Sequence, residues 1–494
     1  MYLENENQIM FAMAQDPILL DLSMANRHGL ICGATGTGKT ISLQVLAESF
    51  SKAGVPVFLA DIKGDLSGMS VAGEASEKLN ERLAKIKVND FKFEANSVSF
   101  WDVYGNDGTA IRSTISDLGP DLLARILQLN DVQTSILKII FKIADDKKML
   151  LIDMKDLKAL LTYVKDNADL FVNDYGLVSK QSAEAILRYL VNLEASGADE
   201  FFNDPEVDIN DILTINNAVG MVNILNCTKL INSPLLYSTF MLWLLTELYE
   251  TLPEVGDLSK PKVVFFFDEA HLLFNNASSQ LIDTISQIIK LIRSKGVGIF
   301  FITQNPSDIP DSILGQLGNK IQHALHAYTE KEQKGVKAAA MSFRANPEFD
   351  TATKINELGT GEAIISFLDA KGIPQISQFA TVLPPQSKIG VADQNIINNI
   401  IMSNPLYAKY KDVIDNNSAF EMIKAENENN ELKLQNEKLK EQNSQEELKQ
   451  QKKLEKENTK KQQQMNNTIN KYLGKIGKEI TNSIIRGFFN TRKK

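Results

Sequence analysis

The sequence predicts an α/β fold: a parallel sheet carrying a phosphate-binding loop, a large all-α insertion and a helical C-terminal tail. Three observations predict it. A strand–loop–helix–strand pattern opens at GLICG (Gly29–Gly33), short apolar runs rich in Val, Ile and Phe return from Val263, and a long helical stretch separates the two. Short apolar runs without alternation suit parallel strands covered on both faces.

The elements follow in order. GLICG runs into a Gly-rich loop, ISLQVLAESFSKAG spaces its apolar residues for a helix ending at Gly54, and PVFLAD (Pro56–Asp61) is the next strand, closing in the turn-rich DIKGDLSG. Residues 1–104 thus read as the first half of a nucleotide-binding core. Residues 105–256 read as a helical insertion with no strand run inside it. Its most apolar stretch, Pro234–Tyr249, is shorter than the roughly 20 residues of a membrane span and carries Glu247, so a buried helix is expected. Residues 257–390 resume the sheet with KVVFFFDEA, GVGIFFITQ, KIQHALHAYT, GEAIISFLD and QISQFATVLPP, and Pro384-Pro385 is expected to end the folded core.

Residues 391–464 read as a charged linker, helical or partly disordered. Leu432 and Leu439 keep a seven-residue step that Leu448 and Leu454 do not sustain, which is weak support for a coiled coil. Over 465–494, Met465, Ile469, Leu473, Ile476, Ile480, Ile484 and Phe488 recur every three or four residues. They mark an amphipathic helix with Arg486, Arg492, Lys493 and Lys494 at its end.

Composition narrows the class. The net charge is −9, but residues 424–494 hold 17 Lys and Arg against 10 Asp and Glu, leaving 1–423 at −16. An acidic body argues against a broad basic face for nucleic acid, though not against a narrow channel. Two cysteines, Cys32 and Cys227, make no disulfide framework, so a reducing, cytoplasmic setting is expected. The N-terminus lacks the basic and apolar regions of a secretory signal. The four histidines are scattered too widely for a metal site, and His271 is expected to pack or hydrogen-bond behind Glu269.

Two motifs carry the chemistry. Gly33-Ala34-Thr35-Gly36-Thr37-Gly38-Lys39-Thr40 matches GxxxxGK[ST] between a strand and a helix. Its backbone N–H groups can curl round phosphate, Lys39 adds charge, and the Thr40 hydroxyl suits Mg²⁺. VVFFFDEA is a Walker B strand, an apolar run ending in two carboxylates: Asp268 for Mg²⁺ and Glu269 to polarise the attacking water. An adjacent Asp and Glu favour an ATPase with an additional strand between the two motifs. The strand GVGIFFITQ would fill that place, with Thr303-Gln304 sensing the γ-phosphate. Arg293 and Arg344 are candidate trans fingers or salt-bridged surface residues, and the tip of DIKGD is either a water-tuning carboxylate site or a plain turn. A small-molecule kinase fits less well, because Glu269 and Gln304 suit water.

Asp268-Glu269-Ala270-His271 spells the tetrad of DEAH-box RNA helicases, yet no Ser-Ala-Thr follows it and the helical block separates it from the phosphate loop. NRHGLICGATGTGKT, DIKGD and ITQNPSDIP instead resemble the HerA/FtsK superfamily. ADIKGDLSGM, STISDLGPDLLARILQLNDVQ, KPKVVFFFDEAHLLF and ELGTGEAIISFLD resemble its YjgR-like family across roughly residues 5–390, as does GKIGKEITNSIIRG near the end. The resemblance implies a RecA-like ATPase core using ATP and Mg²⁺, assembled as a homo-oligomeric ring, with six subunits expected, and acting on DNA as a translocase or helicase. Lys39, Thr40, Asp268, Glu269 and Gln304 match its motor positions, and Arg293 matches more loosely. Two departures stand out: only 32 residues precede Gly33, where HerA proper has a barrel, and Lys320 stands where the family has Arg. The alternative reading is an ATP-dependent switch that docks on a protein or membrane surface through its C-terminal helix.

Overall fold

The computed structural model describes residues 1–88, 91–275, 277–327, 329–414 and 416–489, with the backbone alone at 331 and 483–489. Residues 1–420 form one compact unit and 421–494 another.

The strands of the first unit are β1 (Tyr2–Leu3), β2 (Gln8–Met13), β3 (Pro17–Asp21), β4 (Gly29–Cys32), β5 (Val57–Asp61), β6 (Val98–Asp102), β7 (Thr109–Ala110), β8 (Ile215–Asn216), β9 (Val219–Gly220), β10 (Val222–Asn226), β11 (Val263–Phe267), β12 (Val297–Thr303), β13 (Asn319–Gln322), β14 (Glu362–Ser366) and β15 (Gln378–Val382). The main sheet has the order β1-β2-β15-β14-β13-β4-β12-β11-β5-β10-β6-β7, with β3 paired to β2. From β13 to β7 every pairing is parallel, and from β13 back to β1 every pairing is antiparallel. The predicted additional strand is therefore present: β12 lies between β4 and β11.

Every residue of β4, β5, β11 and β12 is buried, which explains their unbroken apolar runs. Phe50 of the helix Lys39–Lys52 packs on Phe266 and Phe300, joining the helix to the middle of the sheet. Parallel register aligns the strand ends: Cys32 pairs with Thr303, Phe301 with Phe267, and Phe267 with Ala60. The loops after β4, β5, β11 and β12 thus emerge on one edge, where parallel sheets place their ligands.

The span 105–256, expected to be helical throughout, is not. Helices Ile115–Ile126, Asp131–Lys147, Met154–Asp166, Ala168–Tyr175 and Lys180–Ala195 form the block, but the chain then returns to the sheet as β10, wedged between β5 and β6. The apolar helix is Pro234–Thr251 and is buried, as expected; Trp243 Nε1 donates to Asp117 Oδ2 at 2.7 Å and Tyr237 OH donates to the Asp268 carbonyl at 3.3 Å.

Pro384-Pro385 does not end the core. Helices Gln394–Ser403 and Pro405–Tyr410 continue it, with Ile397, Ile401 and Tyr410 buried and Arg112 donating to the Tyr410 carbonyl at 2.7 Å. Asp156 then accepts from Phe420 N at 2.9 Å at the start of the last helix. That helix, Ala419–Phe489, makes up the described part of the second unit as one continuous element. No helix among the described residues is long and apolar enough to cross a membrane. Arg492, Lys493 and Lys494 lie outside the described residues, as do the side chains of Ile484, Arg486 and Phe488.

Candidate active site

The phosphate loop is fixed to both neighbouring strands. Gly33 N donates to the Thr303 carbonyl at 3.3 Å and Ala34 N to the Ala324 carbonyl at 2.8 Å. Gly33, Gly36 and Gly38 have φ of 157°, 78° and 119°, a left-handed run that side chains would strain. A Cβ on Gly33 would stand 2.6 Å from His323 Cβ, so glycine is required there for space as well. Lys39 opens the helix and is buried; its Nζ donates to the Gly33 carbonyl at 2.6 Å and the Ala34 carbonyl at 3.1 Å. Thr40 follows at the first turn, on the same side of the sheet edge.

Asp268 and Glu269 leave the tip of β11, both buried. Burial pushes the Asp268 carboxyl up to about 6, with Lys63 opposing that rise. A divalent cation is the natural counter-charge for so desolvated an acid. Glu269 has φ 46°, unusual for a side-chain-bearing residue, and its N–H is held by Asp268 Oδ1 at 2.9 Å. Its carboxylate meets Gln304 Nε2 at 3.4 Å, His271 Nδ1 at 3.3 Å and Lys63 Nζ at 3.7 Å. Gln304 is thus gathered beside Glu269, whereas the Thr303 hydroxyl turns away to Asp308 Oδ2 at 3.0 Å. His271, expected to pack or hydrogen-bond behind Glu269, lies beside that carboxylate.

Other candidates lie elsewhere. Arg293 precedes β12, on the sheet edge opposite the phosphate loop, where Arg27 and Asp257 are its charged neighbours. It belongs to no part of the cleft, because a residue at the start of a parallel strand cannot share the edge of its end. Arg344 is exposed and reaches the Pro374 carbonyl at 3.4 Å. Lys320 pairs in register with Leu30 and donates to the Ser342 carbonyl at 2.9 Å. The Asp61 carboxylate is spent on a turn, accepting from Gly64 N at 2.8 Å, Asp65 N at 3.2 Å and Leu66 N at 3.0 Å. Cys32 and Cys227 are buried free thiols.

Sequence reasoning missed the support beneath the loop. His323, at the tip of β13, has Nε2 at 2.8 Å from Ser42 Oγ and Nδ1 at 2.9 Å from the Glu362 carbonyl. Gly361 N donates to the Thr37 carbonyl at 2.9 Å, and Arg82 Nη2 donates to the Gly361 carbonyl at 2.6 Å. The one available signal was the GTG spacing in ELGTGEA. Burial pushes His323 down to about 4 from 6.5. As pH falls through that window the unfolded chain takes up a proton and the folded chain does not, so stability is lost. The variant His323→Gln lacks that loss. Between pH 7 and 5 its urea-derived stability should gain up to about 2 kcal/mol on the parent; an unchanged difference would contradict the assignment.

The strand order, the glycine-turned loop and the paired acids at the tip of β11 define a P-loop nucleoside triphosphatase with the additional strand. Within that class the chain belongs to the HerA-like helicase family, matching the family described as "Helicase HerA-like C-terminal" over residues 6–494. It is 22% identical over 410 residues to the DNA double-strand break repair helicase HerA of Sulfurisphaera tokodaii, covering 81% of this chain and 73% of that protein. It is 24% identical over 347 residues to the probable helicase MJ1565 of Methanocaldococcus jannaschii, covering 69% of this chain but 60% of that one. The plasmid coupling protein TrwB in complex with ADP and Mg²⁺ shares the fold, with a TM-score of 0.51, 15% identity, and 77% and 91% of the two chains covered.

Proposed function

We propose that the protein is a Mg²⁺-dependent ATPase that moves DNA, working as a homo-oligomeric ring. The observation that carries this reading is the convergence of Lys39, Asp268, Glu269 and Gln304 on one edge of the sheet. Backbone N–H groups of residues 34–40 would hold the β- and γ-phosphates together with Lys39. Thr40 and Asp268 supply the hard oxygen donors that Mg²⁺ takes, and the ion would neutralise charge on the transferred phosphoryl group. Glu269 accepts the proton of the attacking water while Gln304, 3.4 Å away, fixes the carboxylate.

DNA as the polymer is supported by the relatives named DNA repair helicase. The charge balance limits where it can bind: an acidic body leaves a narrow channel rather than an open face. The test is ATP hydrolysis by the purified chain in low salt, with and without DNA. Stimulation that fades as salt rises is the expected result. A basal rate that DNA leaves unchanged at every salt concentration would overturn the DNA reading.

A further inference from the structure

Arg293 and Arg344 were candidate fingers for a neighbouring subunit, and neither lies in this cleft; a second cation does. Lys63 Nζ stands 3.7 Å from Glu269 Oε1, at the end of a side chain that is 38% exposed. It is also close enough to weigh on both other charged members: it is the largest of the charges that depress Lys39, and the largest that favour the ionised form of Asp268. Among the described residues, Lys39 and Lys63 are the lysines placed among the two acids.

The backbone is built to deliver it. Lys63 sits on the turn after β5, whose shape is set by three N–H bonds to the Asp61 carboxylate. Gly64 has φ 73°, and a Cβ there would meet Thr228 Cγ2 at 3.1 Å, so the turn is held from the β10 side too. β5 neighbours β11, and the lysine reaches across the tip of β11 to Glu269. The carboxylate of Asp61 thus shapes the turn, and the lysine is what the turn presents.

We propose that Lys63 is a catalytic cation supplied in cis, which binds the γ-phosphate of ATP and stabilises the charge that develops on it. In the reaction, water attacks the γ-phosphorus, the bond from phosphorus to the β–γ bridging oxygen breaks, and that oxygen leaves on ADP. The water proton passes to Glu269. Lys63 changes no bonds; it exchanges its contact with Glu269 for the phosphoryl oxygens, which leaves the carboxylate free for water. A cation on the moving phosphoryl group must be worth more in the transition state than in the ground state, so its removal lowers kcat.

The proposal rests on the cleft being an ATP-hydrolysing site, and the experiment keeps the two apart. The parent chain, Lys63→Ala and Lys63→Arg are compared for kcat, KM and affinity for ADP, with thermal unfolding as a check on folding. Lys63→Ala should lose about 10²-fold or more in kcat while ADP binding stays within about twofold, because ADP lacks the γ-phosphate. Lys63→Arg should recover part of the rate. A parent chain that hydrolyses ATP beside an equally active Lys63→Ala overturns the lysine's role and leaves the ATPase standing. Equal losses in ADP affinity and rate, or no recovery by arginine, would make Lys63 a structural residue and also overturn it. A parent that hydrolyses nothing overturns both.

Discussion

Glu269→Gln is expected to bind ATP with nearly the parent's affinity and to hydrolyse it about 10²–10⁴-fold more slowly, the range general-base removal gives. The amide keeps the shape of the carboxylate and can still meet Gln304 and His271, which now stand 3.4 and 3.3 Å away. What it loses is the capacity to take a proton. Single-turnover phosphate release, measured beside binding of a fluorescent nucleotide, separates the two properties. A variant that hydrolyses at the parent rate would remove Glu269 from the mechanism. The backbone supports the assignment: at φ 46° the chain holds this residue in a strained conformation, and such positions persist where the surroundings over-determine them.

Lys39→Ala should lose nucleotide binding itself. The ammonium is buried and donates to the carbonyls of Gly33 and Ala34, inside the loop that would take the phosphates. A charged hydrogen bond contributes about 1.5–3 kcal/mol, which converts to roughly 10- to 100-fold weaker ATP binding. Equilibrium binding of ATP to the folded variant checks this; affinity equal to the parent's would contradict the reading of the loop.

Much of this site was legible because its motifs are local. Eight consecutive residues make the phosphate loop, and five buried apolar residues followed by two acids make the strand tip beside it. The additional strand was equally readable, since VGIFFIT is buried on both faces and its run is unbroken. β10 was not legible for the opposite reason. VNILN is short and interrupts its apolar run with Asn223, whose amide is satisfied only in three dimensions, by the carbonyls of Val57 and Ile212 and by Trp101 Nε1. A polar residue paired across the sheet looks, in sequence, like the end of a strand. That the helices after Pro384-Pro385 belong to the core was missed likewise, because the Arg112 that binds the Tyr410 carbonyl lies far away in the chain.

Placement on the sheet decided the charged candidates. Arg293 and Gln304 are neighbours in sequence around one strand, yet β12 carries them to opposite edges. Lys63 lay in a turn that could be read as carboxylate chemistry or as a plain turn. The structure shows that its acid shapes the backbone and its lysine faces the acids of β11. No pattern within DIKGD reveals that division of labour, because it depends on β5 lying beside β11.

Hydrolysis of ATP at this edge of the sheet is what every other proposed step depends on. Release of inorganic phosphate from ATP by the purified parent chain, with and without Mg²⁺, tests it most directly. Steady release that requires the metal and falls in Glu269→Gln is the expected result. Release that is absent from the folded parent, or that persists equally without Mg²⁺ and in Glu269→Gln, would contradict it.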